Sequence, residues 1–78
     1  MTVTHHDYRG YVFTLEYQAQ EPTYVVDFPD FPEIISSGPT LAQAFSNACE
    51  ALDLHLETLL KLGKRLPKAK HTLLIKSV

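Results

Sequence analysis

Residues 28–40 read FPDFPEIISSGPT and lie between a run of alternating residues and a long helix-forming run. Proline lacks the backbone N–H that a sheet ladder needs, so Pro29 and Pro32 are expected to end the preceding strand and stiffen the chain. Phe28 and Phe31 are expected to pin this segment to the core. The stretch therefore predicts a rigid connection between two strands of one domain.

The residues before this stretch alternate between apolar and polar with the period of a β-strand. Residues 10–18 (GYVFTLEYQ) place aromatic and aliphatic side chains on one face, and residues 23–28 (TYVVDF) repeat the pattern after a short turn. These two runs predict an antiparallel hairpin, and residues 33–37 (EIISS) predict a third, shorter strand. The N-terminus before residue 10 is expected to be loose.

The residues after the stretch predict an amphipathic helix of about six turns. Thr40 is a good N-cap, and Gln43 stands three positions later, which completes the T-x-x-Q pattern of a capping box. Gly63 is expected at the C′ position that ends the helix. Apolar residues recur at spacings of three and four along one side: Leu41, Phe45, Ala48, Leu52, His55, Leu59 and Leu62, and the stripe is broadened by Ala44, Ala51, Leu56 and Leu60.

Residues 71–76 (HTLLIK) predict a final strand. The predicted order is therefore β-β-β-α-β: an antiparallel meander of three strands, then one crossover helix packed on the sheet, then a strand parallel to one of the others. This is an α+β fold. A chain of 78 residues with 45% apolar content is long enough for a single domain, which we assign to residues 1–78.

Composition also predicts the compartment. No apolar run approaches the roughly 20 residues that cross a membrane, and the N-terminus lacks the layout of a signal peptide. Cys49 is the single cysteine and is expected to be a small buried thiol rather than half of a disulfide. These features predict a cytoplasmic domain.

The charges are divided unevenly along the chain. Residues 1–60 contain one base and nine acids, a net charge of −8, whereas residues 61–78 contain six bases and no acid. Such asymmetry is typical of an interaction surface. The basic end has a second explanation, because cations near a helix C-terminus complement the helix dipole and lysines keep an edge strand soluble.

Residues 28–67 as a whole resemble the signature of the HicB-like antitoxin family, which runs F-P-D-L-P-G-C, then G-D-T, then L-x-E-A-x-x-N-A-x-E-A-L. Three positions depart from it: Glu33 replaces a glycine, Pro39 an aspartate and Gln43 an acid. The matching residues are Phe28, Pro29, Asp30, Phe31, Pro32, Gly38, Thr40, Leu41, Ala44, Asn47, Ala48, Glu50, Ala51 and Leu52.

The resemblance implies a partner-binding domain with a partial ribonuclease H-like fold, whose partner is a small, basic, HicA-like ribonuclease toxin. Members of the family typically continue into a helix-turn-helix or ribbon-helix-helix domain. We expect this chain to act without one and without direct DNA binding. Because so short a chain buries little of its surface, we also expect a homo-oligomer, a dimer or a tetramer.

The residues expected to contact the toxin lie on the polar face of the sheet and in the 28–33 loop. The −8 charge of residues 1–60 motivates this choice, since an acidic surface complements a basic partner. The expected contacts are Glu16, Asp27, Asp30, Phe31 and Glu33.

Two other functions stay open at this point. Glu16, Asp27 and Asp30 are carboxylates that a metal-dependent ribonuclease H-like nuclease would use to hold two divalent ions. A solitary adaptor that only forms homo-oligomers is the other alternative. We nevertheless predict a protein that is not an enzyme, with no catalytic residue, cofactor or metal. His5 and His6 are adjacent residues in an N-terminus expected to be loose, which is a poor basis for a metal site.

Overall fold

The computed structural model describes residues 3–69. Four strands form one antiparallel sheet in the order β1-β2-β3-β4, and helix α1 packs on one side of it. This architecture confirms the predicted α+β class. The predicted strand at 71–76 lies outside the described residues, so the crossover and the ribonuclease H-like relation stay predictions. The elements are β1 Val3–Tyr8, β2 Tyr11–Gln18, β3 Thr23–Asp27, β4 Ser36–Gly38 and α1 Leu41–Lys61.

The prediction of a loose N-terminus is wrong, because these residues form β1 and pair with β2 along its length. Tyr8 pairs with Tyr11, so only Arg9 and Gly10 connect the two strands. Their φ angles are +54° and +87°. Positive φ at both central residues is the requirement of a type I′ hairpin turn, and glycine meets it without steric cost.

The segment that joins β3 to β4 is a pair of consecutive β-turns, here called the double turn (residues 28–34). The N–H of Phe31 donates to the carbonyl of Phe28, and the N–H of Ile34 donates to the carbonyl of Phe31, both at 3.0 Å. Pro29 and Pro32 each occupy the second turn position, which their fixed φ suits. Both Phe–Pro bonds are trans. The predicted strand at 33–37 therefore begins later, at residue 36.

Helix α1 begins and ends largely as predicted. The side chain of Thr40 accepts from the N–H of Gln43 at 3.0 Å, which confirms the N-cap. The Gln43 side chain does not supply the expected reciprocal contact of a capping box; it donates to Asn47. At the other end Gly63 has φ +72°, and the N–H groups of Gly63 and Lys64 donate back into the last turn. These bonds form a Schellman motif and confirm the predicted C′ glycine.

The core lies between α1 and one side of the sheet. The helix contributes four buried residues at intervals of four, Ala44, Ala48, Leu52 and Leu56, and all four belong to the predicted apolar stripe. Leu41, Phe45 and Leu62 of that stripe are partly or largely exposed. The buried residues are Tyr11, Phe13, Leu15, Val26, Phe28, Phe31, Ala44, Ala48, Leu52 and Leu56.

Two contacts show how closely the helix is attached. A Cβ on Gly38 in β4 would lie 2.5 Å from the backbone nitrogen of Ala44, so only glycine permits this approach. After α1 the chain returns toward the β1–β2 turn, where the hydroxyl of Tyr11 donates to the carbonyl of Pro67. The sheet and the helix are therefore held together near both ends of α1.

Candidate partner-binding surfaces

The side of the sheet that faces away from α1 is called the open face here. The strand register fixes its membership, since residues directly paired across two strands point to the same side. Glu16 pairs with Val3 and Val25, and Thr14 pairs with His5 and Asp27. The open face thus consists of Val3, His5, Asp7, Val12, Thr14, Glu16, Gln18, Thr23, Val25, Asp27 and Ser37.

Two of the expected contact residues, Glu16 and Asp27, lie together on the open face. They belong to neighbouring strands and are diagonal to one another in the β2–β3 ladder. Diagonal positions are roughly 7–8 Å apart between backbones. The prediction that these two carboxylates share a side of the sheet is therefore confirmed, and one basic segment can reach both of them.

Phe31 has a different position from the one expected of a contact residue. Its side chain is 1% exposed and packs edge-on against Tyr11 and His55, with ring centroids 4.8 and 5.2 Å apart. It holds the double turn on the core from the inside. Asp30, between the two prolines of that turn, is partly buried. In this conformation Phe31 supports the surface without presenting its ring to a partner.

Glu33 lies on the helix side of the sheet. Its Oε2 is 2.8 Å from Nε2 of His55, within hydrogen-bond distance, so it ties the double turn to the middle of α1. The expected contact set is consequently divided: Glu16 and Asp27 lie on the open face, whereas Glu33 lies beside the helix. A partner that contacts all of these residues has to reach around the β4 edge of the sheet.

A shallow apolar groove runs between the double turn and α1, and sequence reasoning did not predict it. Its volume is about 290 Å³, and we call it the helix-side groove. Ile35 is 93% exposed and Leu54 63% exposed, although both are large and apolar. The sequence held a signal, because Leu54 falls outside the predicted apolar stripe of the helix. The lining residues are Ile34, Ile35, Ala51, Leu54, His55 and Thr58.

Two hydrogen bonds fix the two sides of this groove relative to each other. The side-chain amide of Asn47 donates to the backbone carbonyl of Ser37 at 2.8 Å, and His55 meets Glu33 at the other end. Asn47 and His55 are eight residues apart on α1, a span of about 12 Å. The groove is therefore already formed in the isolated chain.

A third cluster joins the β1–β2 turn to α1 through Asp53. Its carboxylate accepts from the hydroxyl of Tyr8 and from the guanidinium of Arg9, each at 2.9 Å. The hydrogen bond to Asp53 raises the pKa of Tyr8, with desolvation acting in the same direction. Burial, followed by the charge of Asp53, raises the pKa of the Cys49 thiol. This thiol is therefore protonated at neutral pH and is a poor nucleophile.

The described part of the chain holds no group of three or more His, Cys, Asp or Glu side chains arranged to bind a metal ion. Between residues 3 and 69, no helix is both long enough and apolar enough to span a membrane. The features that these residues do offer to a ligand are the acidic open face and the helix-side groove.

The chain is similar in sequence to a known family and to a phage protein. The family model described as the HicB-like antitoxin of bacterial toxin–antitoxin systems matches residues 11–76. A curated relative, the uncharacterised 14.9 kDa protein in the rep-hol intergenic region of Haemophilus phage HP1, is 46% identical over 46 residues. That match covers 59% of this chain and 35% of the relative, so the chain aligns with about a third of that protein's length. No solved structure matches significantly.

Proposed function

Because this chain belongs to the HicB-like antitoxin family, we propose that it binds a small, basic, HicA-like ribonuclease toxin and neutralises it by covering its RNA-binding surface. The observation that carries this proposal is the acidic open face. A ribonuclease has to hold a phosphate backbone, so the surface it uses for substrate is basic. The site of action is the cytoplasm, where such a toxin meets its RNA.

The open face supplies the charge that such a partner requires. Glu16 and Asp27 lie together there, and Asp7 lies further along β1. Opposite charges on two proteins steer their encounter and raise the association rate, and the effect weakens as salt screens it. The domain thus competes with RNA for the toxin by presenting carboxylates where RNA would present phosphates.

The contact set follows from the positions of the acidic side chains. Glu16, Asp27, Asp30 and Glu33 act as the charged contacts, and Phe31 keeps the double turn in place beneath them. Since Glu33 lies on the helix side, the toxin straddles the β4 edge of the sheet. The mechanism is occlusion by binding, with no catalytic step, cofactor or metal ion.

Self-association is compatible with this role. Among the described strands, β1 and β4 are the edges of the sheet, and an edge presents unpaired backbone groups that a second copy can extend. We propose a dimer or tetramer in which the open face stays accessible. A solitary homo-oligomeric adaptor is the second candidate, and the same observation supports it.

The first experiment is affinity capture of the chain at native expression level from its own host, with mass spectrometry of the eluate. We expect a small basic protein in stoichiometric amount whose ribonuclease activity falls when purified chain is added. Repeated recovery of the chain alone, across growth conditions, would favour the adaptor. RNA cleavage by the purified chain with Mg²⁺ or Mn²⁺ would instead support the nuclease alternative.

Charge reversal then tests the surface itself. The double variant Glu16→Lys/Asp27→Lys should weaken toxin binding by at least about tenfold, with slower association at low salt. The matched control is Gln20→Lys/Glu21→Lys/Ala42→Lys, which changes the net charge by the same four units on exposed positions outside both the open face and the helix-side groove. Equal affinity of the charge-reversal variant and its control would remove the open face from the proposed interface.

A further inference from the structure

The helix-side groove is an apolar surface that residues 3–69 leave uncovered. Ile35 and Leu54 lie side by side along it and remain 93% and 63% exposed, while the core is completed by other residues. Isolated exposed apolar side chains are common on proteins. Adjoining ones that line a concavity are typical of a site where another molecule binds.

The groove is also ready to bind without rearrangement. Asn47 holds Ser37 at one end and His55 holds Glu33 at the other, and consecutive turn hydrogen bonds fix the backbone that leads to Ile35. A binding surface that is ordered beforehand avoids the entropic cost of ordering on association. The groove therefore has the properties of an anchor point for a single side chain of a partner.

The charges around the groove select the kind of partner. Glu33 lies at one end, and Glu50 and Glu57 lie four residues before and three residues after Leu54 on α1, so they are its neighbours on the helix surface. Lys61, at the C-terminal end of α1 and seven residues after Leu54, is the one lysine or arginine of the helix, so the three glutamates outnumber the bases around the groove; His55, at the groove itself, contacts Glu33. The groove is thus an apolar strip with an acidic rim.

We propose that the helix-side groove receives an apolar side chain from a segment of the toxin in which lysine or arginine residues flank that side chain. The inference rests on the proposed function and adds a second, apolar contact to the acidic open face. A second copy whose groove faces this one fits less well, because their glutamates would be brought together, and a second copy that presents Leu62 between Lys61 and Lys64 would be detected as self-association. RNA fits poorly for the same electrostatic reason.

One partner can reach both regions, because they meet at the β4 edge. Ile35 directly precedes Ser36, which pairs with Val26, and Asp27 directly follows Val26. The groove and the acidic open face are therefore separated by a single strand edge. In such an arrangement the open face governs how fast the toxin associates, and the groove governs how slowly it dissociates.

The test measures binding of the captured toxin to Ile35→Ser and Leu54→Ser variants by surface plasmon resonance. Each should raise Kd by about tenfold, mainly through faster dissociation. The matched control is Leu60→Ser, which removes a leucine that is 59% exposed on the same helix but outside the groove, and should change Kd by less than about twofold. Thermal unfolding of each variant checks that the fold is retained.

Four outcomes separate the possibilities. Loss of affinity in both groove variants but not in the control supports the groove. If the wild-type chain binds and inhibits the toxin while the groove variants do so equally well, only this inference fails. If the wild-type chain binds no toxin, the proposed function and the inference fail together. If the variants change self-association in analytical ultracentrifugation and leave toxin affinity intact, a second copy is the occupant.

Crosslinking gives an independent readout of the chemistry. With Leu54→p-benzoylphenylalanine in the full chain, irradiation of the complex should join position 54 to an apolar toxin residue that has a lysine or arginine neighbour. A crosslink to a second copy of this chain, or to an acidic segment of the toxin, would overturn the proposal.

Discussion

The two sides of strand β2 differ sharply in what surrounds them. Tyr11, Phe13 and Leu15 are buried against α1, whereas the residues between and after them, Val12, Thr14 and Glu16, are partly exposed on the open face. In the part of the chain that the structure describes, one helix covers one side of the sheet, so stability depends mainly on that side. The other side can carry charge at little cost, which is where Glu16 and Asp27 lie.

The largest expected change in stability comes from replacing Phe13 in β2, and the adjacent Thr14 on the other side of the sheet serves as its counterpart. Phe13 is fully buried and contacts Phe28 and Phe45, so Phe13→Ala should lower the free energy of unfolding by about 3–5 kcal/mol. Thr14→Ala, one residue later on the open face, should cost less than about 1 kcal/mol. Urea unfolding followed by circular dichroism measures both. Similar losses of unfolding free energy at the two positions would contradict the unequal contribution of the two sides of β2.

Two neighbouring residues of β4, Gly38 and Ser37, should also differ in their contribution to stability. Gly38→Ala places a methyl group against the backbone of Ala44, so we expect β4 or α1 to shift and the free energy of unfolding to fall by about 3 kcal/mol. The neighbouring Ser37→Ala leaves intact the backbone carbonyl to which Asn47 donates, and should be nearly neutral. A Gly38→Ala protein as stable as Ser37→Ala would show that the helix is less closely held than described.

The adjacent histidines of β1 provide a smaller contrast. His6 faces α1 and packs on Phe13 and Phe45, with ring centroids 5.3 and 5.1 Å apart, whereas His5 lies on the open face. Aromatic pairs contribute about 0.5–1.5 kcal/mol beyond the area they bury, so His6→Ala should lower the unfolding free energy by about 1 kcal/mol. His5→Ala should change it by less than about 0.5 kcal/mol. Thermal unfolding of both variants at pH 8 measures this difference. A larger loss of stability for His5→Ala than for His6→Ala would contradict it.

The smallest expected effect on stability comes from the ionisation of Tyr8. The hydrogen bond to Asp53 raises the pKa of the Tyr8 hydroxyl. Subtracting the ultraviolet titration of Tyr8→Phe from that of the wild type gives the ionisation of Tyr8 alone, and Asp53→Asn should lower its midpoint. Because the folded-state pKa exceeds the unfolded value of 10.0, the stabilisation is complete below pH 10 and is lost as pH rises through the folded value. A midpoint unaffected by Asp53→Asn would contradict this assignment.

Much of the fold was predictable because its signals are local. The alternation in residues 10–18 and 23–28, Thr40 at the N-cap and Gly63 at the C′ position each depend on a few neighbouring residues. The same alternation placed Glu16 and Asp27 on one side of the sheet. Strand β1 was not predicted, because residues 3–8 (VTHHDY) were expected to form a loose N-terminus. The two residues Arg9-Gly10 nevertheless have the length of a hairpin turn.

The remaining features depend on contacts between distant segments. The sequence predicts that Phe31 pins its loop to the core, but it does not identify the residues that bury it, Tyr11 and His55, which lie 20 and 24 residues away. The helix-side groove combines residues 34–35 with residues 51–58, so no single window contains it. The division of the expected contact residues between two sides of the sheet follows from the same packing.

The two-residue turn at Arg9-Gly10 has a consequence for synthesis on the ribosome. The β1–β2 hairpin is complete once residue 18 has been made, but the helix that covers its apolar side ends only at residue 61. At typical translation rates this delay is roughly 2–9 s, and an isolated hairpin is at best marginally stable in water. The nascent chain therefore exposes Phe13 and Leu15 until α1 emerges. Transiently exposed apolar surface of this kind is prone to aggregate, so the interval before α1 emerges is the one in which the chain depends on protection.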